Sequence, residues 1–177
     1  MTMQACGTCG PPRHDRRMEV IVAPEQLLDL KRLVDTLRER DQTYRVFGSG
    51  GGSGHHYLFR PVLTERQLMD FERQHGVELP KDYRLFLSLV GDGGAGPSYG
   101  VVSLDEASRY SDLSTPFAWS EMHCLDSEEE FNLWERRPGC LEICHHGCCY
   151  YDLLIVNGST AGLMWQDLTA NKDPRKI

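Results

Sequence analysis

The sequence predicts an α+β fold, a single compact domain with helices packed on a mainly antiparallel, mixed sheet. Three observations carry this. Apolar residues recur at helical spacing through the first half of the chain, most clearly Tyr83, Phe86, Leu87 and Val90. Capping signals mark helix starts at Thr64 and Ser127. The C-terminal third holds short apolar runs separated by turn residues, the pattern of strands. No internal repeat is visible.

Each element follows in order. Residues 1–17, with Gly-Pro-Pro at 10–12 and Arg13, Arg16 and Arg17, read as a disordered leader, and Met18 offers an alternative start. Residues 18–54 form an N-terminal unit of helix, strand and glycine-rich turn. Its helix opens at Pro24, with Leu27, Leu30, Val34 and Leu37 on one face and Lys31, Arg32, Asp35, Arg38 and Glu39 on the other. Tyr44–Phe47 and His55–Phe59 read as strands joined by the glycine-rich turn at 48–54. On such a strand His55 and His56 would point to opposite faces. The core domain is expected over 55–170. Thr64 and Gln67 form a capping box, Leu68 and Phe71 make the apolar stripe behind it, and Gly76 is placed for a left-handed cap. Pro80 suits the first turn of the next helix. Four glycines crowd residues 91–96, a density that implies positive φ or close backbone approach. Tyr99–Leu104 reads as a strand. Ser127 and Glu130 form a second capping box, ahead of Phe131 and Trp134. Strands are expected at 141–144, 150–156 and 161–166, the last two joined by an Asn157-Gly158 hairpin. The tail 171–177 is expected to fray.

Composition removes several function classes. The chain has 177 residues, is 40% hydrophobic and 25% charged, and carries a formal charge of −7. It is too apolar for a disordered chain. Its longest clean apolar run, Leu153–Val156, is far short of the roughly 20 residues of a membrane span. The acidity argues against direct nucleic-acid binding and suits a basic partner. It is also uneven. Residues 1–60 hold nine Lys/Arg against seven Asp/Glu, whereas residues 61–177 hold ten against nineteen. The densest acid lies at Asp105, Glu106, Asp112, Glu121, Asp126, Glu128, Glu129, Glu130 and Glu135, opposed only by Arg109. The first eight are the candidate partner-binding residues.

The seven cysteines need a compartment. Met1–Gly10 has no apolar signal core, so a reducing cytoplasm is expected and disulfides are not. Zinc is the alternative: Cys6 and Cys9 could join Cys144, His145, His146, Cys148 and Cys149, although the second cluster lacks a Cys-x-x-Cys knuckle. Cysteine is also a common buried residue, and no metal site is assigned. Catalytic constellations are thin. There is no nucleophile elbow and no His-Glu-x-x-His, and the glycines at 48–54 lack the Gly-Lys-Ser/Thr of a phosphate loop. No cofactor is expected.

A resemblance adds to this reading. Phe71-Glu72, Leu79-Pro80, Tyr83, Phe86-Leu87, the loop through Gly94, Gly96 and Pro97 to Tyr99-Gly100, and the closing strands ending at Trp165 are similar to the SUKH (Smi/Knr-like) superfamily. The likeness covers roughly residues 55–168. It implies an α+β domain without a catalytic site, in which these residues are structural. Many bacterial members are immunity proteins that bind and block a cognate polymorphic toxin, often a nuclease. Others are regulatory or scaffolding interaction modules without a toxin. The expected function is therefore toxin neutralisation by binding, with a regulatory module as the alternative and a zinc-binding protein behind it.

Overall fold

The computed structural model describes residues 22–169; the expected leader and the fraying tail lie outside them. Five helices and one sheet follow in the order α1 (Pro24–Arg40), α2 (Glu65–His75), α3 (Lys81–Leu89), α4 (Leu104–Ser108), α5 (Glu128–Glu135), β1 (Cys140–Gly147), β2 (Tyr150–Ile155) and β3 (Met164–Asp167). The sheet order is β1-β2-β3, antiparallel throughout.

Period-two alternation along the strands gives the sheet two apolar faces. On one, Leu141, Leu154 and Val156 meet Leu68 of α2, Tyr83 and Leu87 of α3, and Leu104 and Ala107 of α4. On the other, Cys140, Leu153 and Ile155 meet Phe117 and Trp134 of α5. Leu68, Leu87 and Leu141 lose all their exposure, and each such leucine contributes about 1.5–3 kcal/mol by burial.

The helix starts are chemically specified. Thr64 accepts the Gln67 N–H at 3.3 Å, while Gln67 takes the Thr64 N–H at 2.9 Å. Gly76 ends α2 in the left-handed region at φ 66°. Pro80 lies one position before α3, as its N-cap rather than in its first turn. Glu72 accepts the Leu79 N–H at 3.0 Å and pairs with Arg84 at 3.2 Å, and Arg84 also grips Glu65 with both terminal nitrogens at 2.7 Å. These contacts lock α2 to α3.

Several expected elements differ. Residues 44–47 form a turn, not a strand. Asp41 captures the N–H groups of Arg45 at 2.7 Å and Val46 at 3.4 Å, together with the Tyr57 hydroxyl at 2.6 Å, so local side-chain bonds outcompete a ladder. Residues 55–58 are irregular too, with His56 and Tyr57 at φ 50° and 57°. The two histidines therefore do not alternate across a strand: His56 Nε2 contacts the Gly51 carbonyl at 3.0 Å, and His55 Nδ1 accepts the Tyr57 N–H at 3.0 Å. The expected strand at 99–104 shrinks to one bridging residue, Val101, and then gives way to α4. α4 has its own capping box, Ser103 with Glu106, a signal present in the sequence.

The tight hairpin is also elsewhere. β1 and β2 meet at Cys148-Cys149, with φ of 50° and 61°, the signs of a type I′ turn. Asn157-Gly158 instead opens a longer connection. Asn157 Nδ2 donates to the Leu113 carbonyl at 3.0 Å, and its own carbonyl accepts the Phe117 N–H at 2.9 Å. The α1 stripe is only partly covered: Leu27 is buried, whereas Leu30 and Leu37 stay 46% exposed.

Single bridges extend the sheet laterally. Phe59 pairs with Gly94, Gly94 with Val101, and Val101 with Cys144 of β1, all antiparallel. Gly94 sits at φ 107°, and a Cβ there would stand 2.2 Å from the Leu58 carbonyl oxygen. Gly51, also at positive φ, has open space around it. Urea denaturation is expected to show Gly94→Ala destabilised by about 3 kcal/mol or more. Gly51→Ala should lose only about 1–2 kcal/mol, the cost of the backbone conformation. Equal losses would show that Gly94 does not organise the bridge.

Candidate functional site

The acidic segment is built on an aromatic anchor. Phe117 packs edge-on against Trp119 at 5.3 Å and Trp165 at 4.9 Å, and Trp119 packs edge-on against Trp134 at 5.4 Å. His123 stacks on Trp119 at 5.5 Å. The loop that carries Glu121 is thereby tied to the second face of the sheet. Arg137 completes the anchor with its guanidinium 4.5 Å from the Trp134 ring centroid. It pairs with Glu142 at 2.5 Å and Asp167 at 2.8 Å.

The structure divides the eight candidate acids. Three are engaged within the fold. Glu106 closes the α4 capping box and pairs with Arg60 at 2.7 Å; the Ser103 hydroxyl, then Arg60, lowers its pKa. Asp112 holds Ser114 at 2.7 Å and Thr115 at 2.9 Å, and these hydroxyls lower its pKa. Glu130 was expected to return to Ser127 in a capping box. Ser127 does accept the Glu130 N–H at 3.2 Å, but the Glu130 carboxylate takes the Asp126 N–H at 3.2 Å and the His123 ring at 2.9 Å. The box is therefore half made, and Glu130 clamps the loop instead. Asp105 pairs with Arg109 across the surface at 3.3 Å. Asp126 is exposed. Glu121, Glu128 and Glu129 are exposed, and their side chains make no hydrogen bond or ion pair among the described residues. Two large side chains of the same stretch of sequence stand out: Tyr110 is 73% exposed and Met122 93%.

The expected zinc ligands also separate. Cys6 and Cys9 lie outside the described residues. His145 stacks between Tyr99 at 5.6 Å and Tyr151 at 4.9 Å. Cys148 and Cys149 are exposed at the hairpin turn, and Cys124 is exposed on the acidic loop. Cys140 is buried, which pushes its pKa up to about 12. Cys144 and His146 do come together, and they meet Asp152, a residue that the spacing of cysteines and histidines could not single out. Burial, with Asp152 nearby, pushes the Cys144 thiol up to about 11.

The residues of the suspected family pattern hold the frame. Tyr83 and Leu87 are buried between α3 and the sheet, Phe86 lies at the margin of that core, and Phe71 packs against it from α2. Tyr99, 38% exposed, packs edge-on to Phe47 at 5.2 Å. A comparison with family models decides what this frame is: residues 62–166 match the model of the SMI1 / KNR4 family (SUKH-1).

The chain belongs to the SUKH-1 family.

The matched segment runs from just before α2 to β3 and leaves α1 outside it. No curated protein and no solved structure matches the chain. A SUKH domain is of a kind found in immunity proteins and is generally non-catalytic. No helix among the described residues is long and apolar enough to cross a membrane.

Asp112 gives a pH test of this division. Its folded pKa lies below the ordinary 3.8. Its contribution to stability is thus present above pH ~4 and is lost as pH falls through the folded value. Acid unfolding followed by tryptophan fluorescence is expected to be less steep in Asp112→Asn than in the parent chain.

Proposed function

We propose that this SUKH-1 protein is a cytoplasmic immunity protein that binds a basic toxin domain of bacterial origin and occludes its active site. The observation that supports the reading most is the unengaged acid at Glu121, Glu128 and Glu129, with Tyr110 and Met122 exposed in the same segment. Carboxylates without internal partners keep their charge available to a cationic groove and speed encounter. Large exposed side chains supply the desolvated anchors that slow dissociation. A nuclease toxin fits best, because a groove that holds nucleic acid is itself basic. On this reading the protein blocks the toxin by contact, without touching nucleic acid.

The α1 face favours a second reading. Leu30, Leu33 and Leu37 are exposed on one side of a helix outside the family-matched segment. A regulatory or scaffolding module would use such a face for a partner other than a toxin.

Co-expression with the protein encoded next to it separates the two. The immunity reading expects rescue of growth and a stoichiometric complex on co-purification. A toxic neighbour that this chain neither rescues nor captures would sink it. Within a complex, Glu128→Lys with Glu129→Lys should slow association at least tenfold at low salt, with the difference shrinking as salt is raised, in keeping with roughly tenfold or larger steering effects. Tyr110→Ala should instead raise the dissociation rate. Stopped-flow binding reads both rates.

A further inference from the structure

Strand β1 contains two register irregularities, between Glu142 and Cys144 and between His145 and Gly147. The first sets the face that Cys144 occupies. In an unbroken ladder starting from the Glu142–Leu153 pair, Ile143 would oppose Asp152 and Cys144 would oppose Tyr151. Cys144 and Asp152 would then lie on opposite faces of the sheet. The extra residue shifts the register by one, Cys144 pairs with Asp152, and thiol and carboxylate meet on the same face. His146 joins them. One donor atom from each of the three side chains lies within 4.8 Å of the others.

The histidine is oriented for a cation. His146 Nδ1 lies 2.8 Å from the Ser98 hydroxyl, which sits on the glycine-rich loop at φ 47°. His146 Nε2 is buried and has no hydrogen-bond partner among the described residues, although Asp152 Oδ2 is only 2.7 Å away. The carboxylate therefore lies off the line along which Nε2 could donate. In the tautomer that gives Nδ1–H to the Ser98 hydroxyl, the imidazole presents its Nε2 lone pair to a metal, the usual arrangement around a ligating histidine.

We propose that Cys144, His146 and Asp152 form a zinc(II) site, with Ser98 as the residue that orients the histidine. A thiolate, an imidazole and a carboxylate are the ligand types zinc takes, and three protein ligands leave a fourth position open to solvent. Ligand atoms of a tetrahedral zinc site stand roughly 3.3–3.8 Å apart, so small side-chain movements fit this cluster to the ion, with the 2.7 Å Nε2–Oδ2 pair opening. His146 and Asp152 are each 24% exposed, which gives the ion a path, while Cys144 is 3% exposed. Binding replaces the Cys144 thiol proton, now donated to the Pro97 carbonyl at 3.3 Å, and releases it to solvent.

The test uses the full chain purified without a histidine tag, stripped with a chelator and given zinc(II) or cobalt(II). The expected result is one equivalent of zinc retained through gel filtration and a raised Tm. Cobalt should give the visible bands of a tetrahedral site together with thiolate charge transfer. Cys144→Ser should remove the charge transfer. His146→Gln and Asp152→Asn, at partly exposed positions and checked for folding by circular dichroism, should each weaken binding at least tenfold. Ser98→Ala should weaken it by about 10–100-fold at unchanged stoichiometry, as loss of an orienting hydrogen bond does. A Cys6→Ser/Cys9→Ser background should retain the metal. Failure of the folded parent chain to retain zinc would overturn the proposal. So would metal that leaves with Cys6 and Cys9 yet stays in His146→Gln and Asp152→Asn.

Discussion

The structure depends on backbone pairing at Gly94. Its peptide pairs with Phe59 on one side and Val101 on the other, and Val101 pairs onward with Cys144, Asp152 and Gln166. One row of main-chain contacts thus crosses six segments of chain, although only three of them are long enough to be strands. The row passes where a Cβ would collide with the Leu58 carbonyl, so only glycine admits it. Phe59, just N-terminal to α2, is tied to the sheet through this crossing, and the turn after α3 is shaped by it. The next carboxylate along that turn, Asp92, receives the Leu104 N–H at 2.7 Å. This fixes the entry of α4 and with it the beginning of the acidic segment.

The two faces of the sheet divide the labour. The face under α2, α3 and α4 is aliphatic and belongs to the frame. The other is aromatic, and its tryptophans hold a loop that buries little of itself. Rings suit this task because their edges and faces interlock at long reach. A loop clamped at Trp119 and at Glu130 can leave Glu121 and Met122 in solvent without ordering them through contacts of their own. The acid of one stretch of sequence thereby becomes two populations, one that closes turns and one that faces outward.

Much of the frame was legible. Thr64 and Gln67, Gly76, and the spacing of Tyr83, Phe86, Leu87 and Val90 act within one or two helical turns, so the sequence displays them directly. The strands expected at 55–59 and 99–104 do not form. Phe59 and Val101 do pair, yet each pairs at a single residue, because the local geometry around them is set by turns that apolar runs do not reveal. The Asn157-Gly158 signal failed for a related reason, since a carbonyl and an amide from 113–117 claim Asn157. The cysteine cluster was half legible. Cys144 and His146 stood out by type, but Asp152 joins them only because an extra residue in β1 changes the register. No pattern in the chain announces that residue.

The sheet also has an outer limit. β3 is four residues long and pairs only with β2 among the described residues, so its far side is an open edge. Unpaired N–H and carbonyl groups on such an edge are a template for strands of other molecules. Brevity is the safeguard here. Four residues carrying Gln166 and a buried, ion-paired Asp167 offer too short a rail for a second chain to zip along. A protein whose proposed work is to be held tightly by one partner thus limits its capacity to be held, strand against strand, by its own copies.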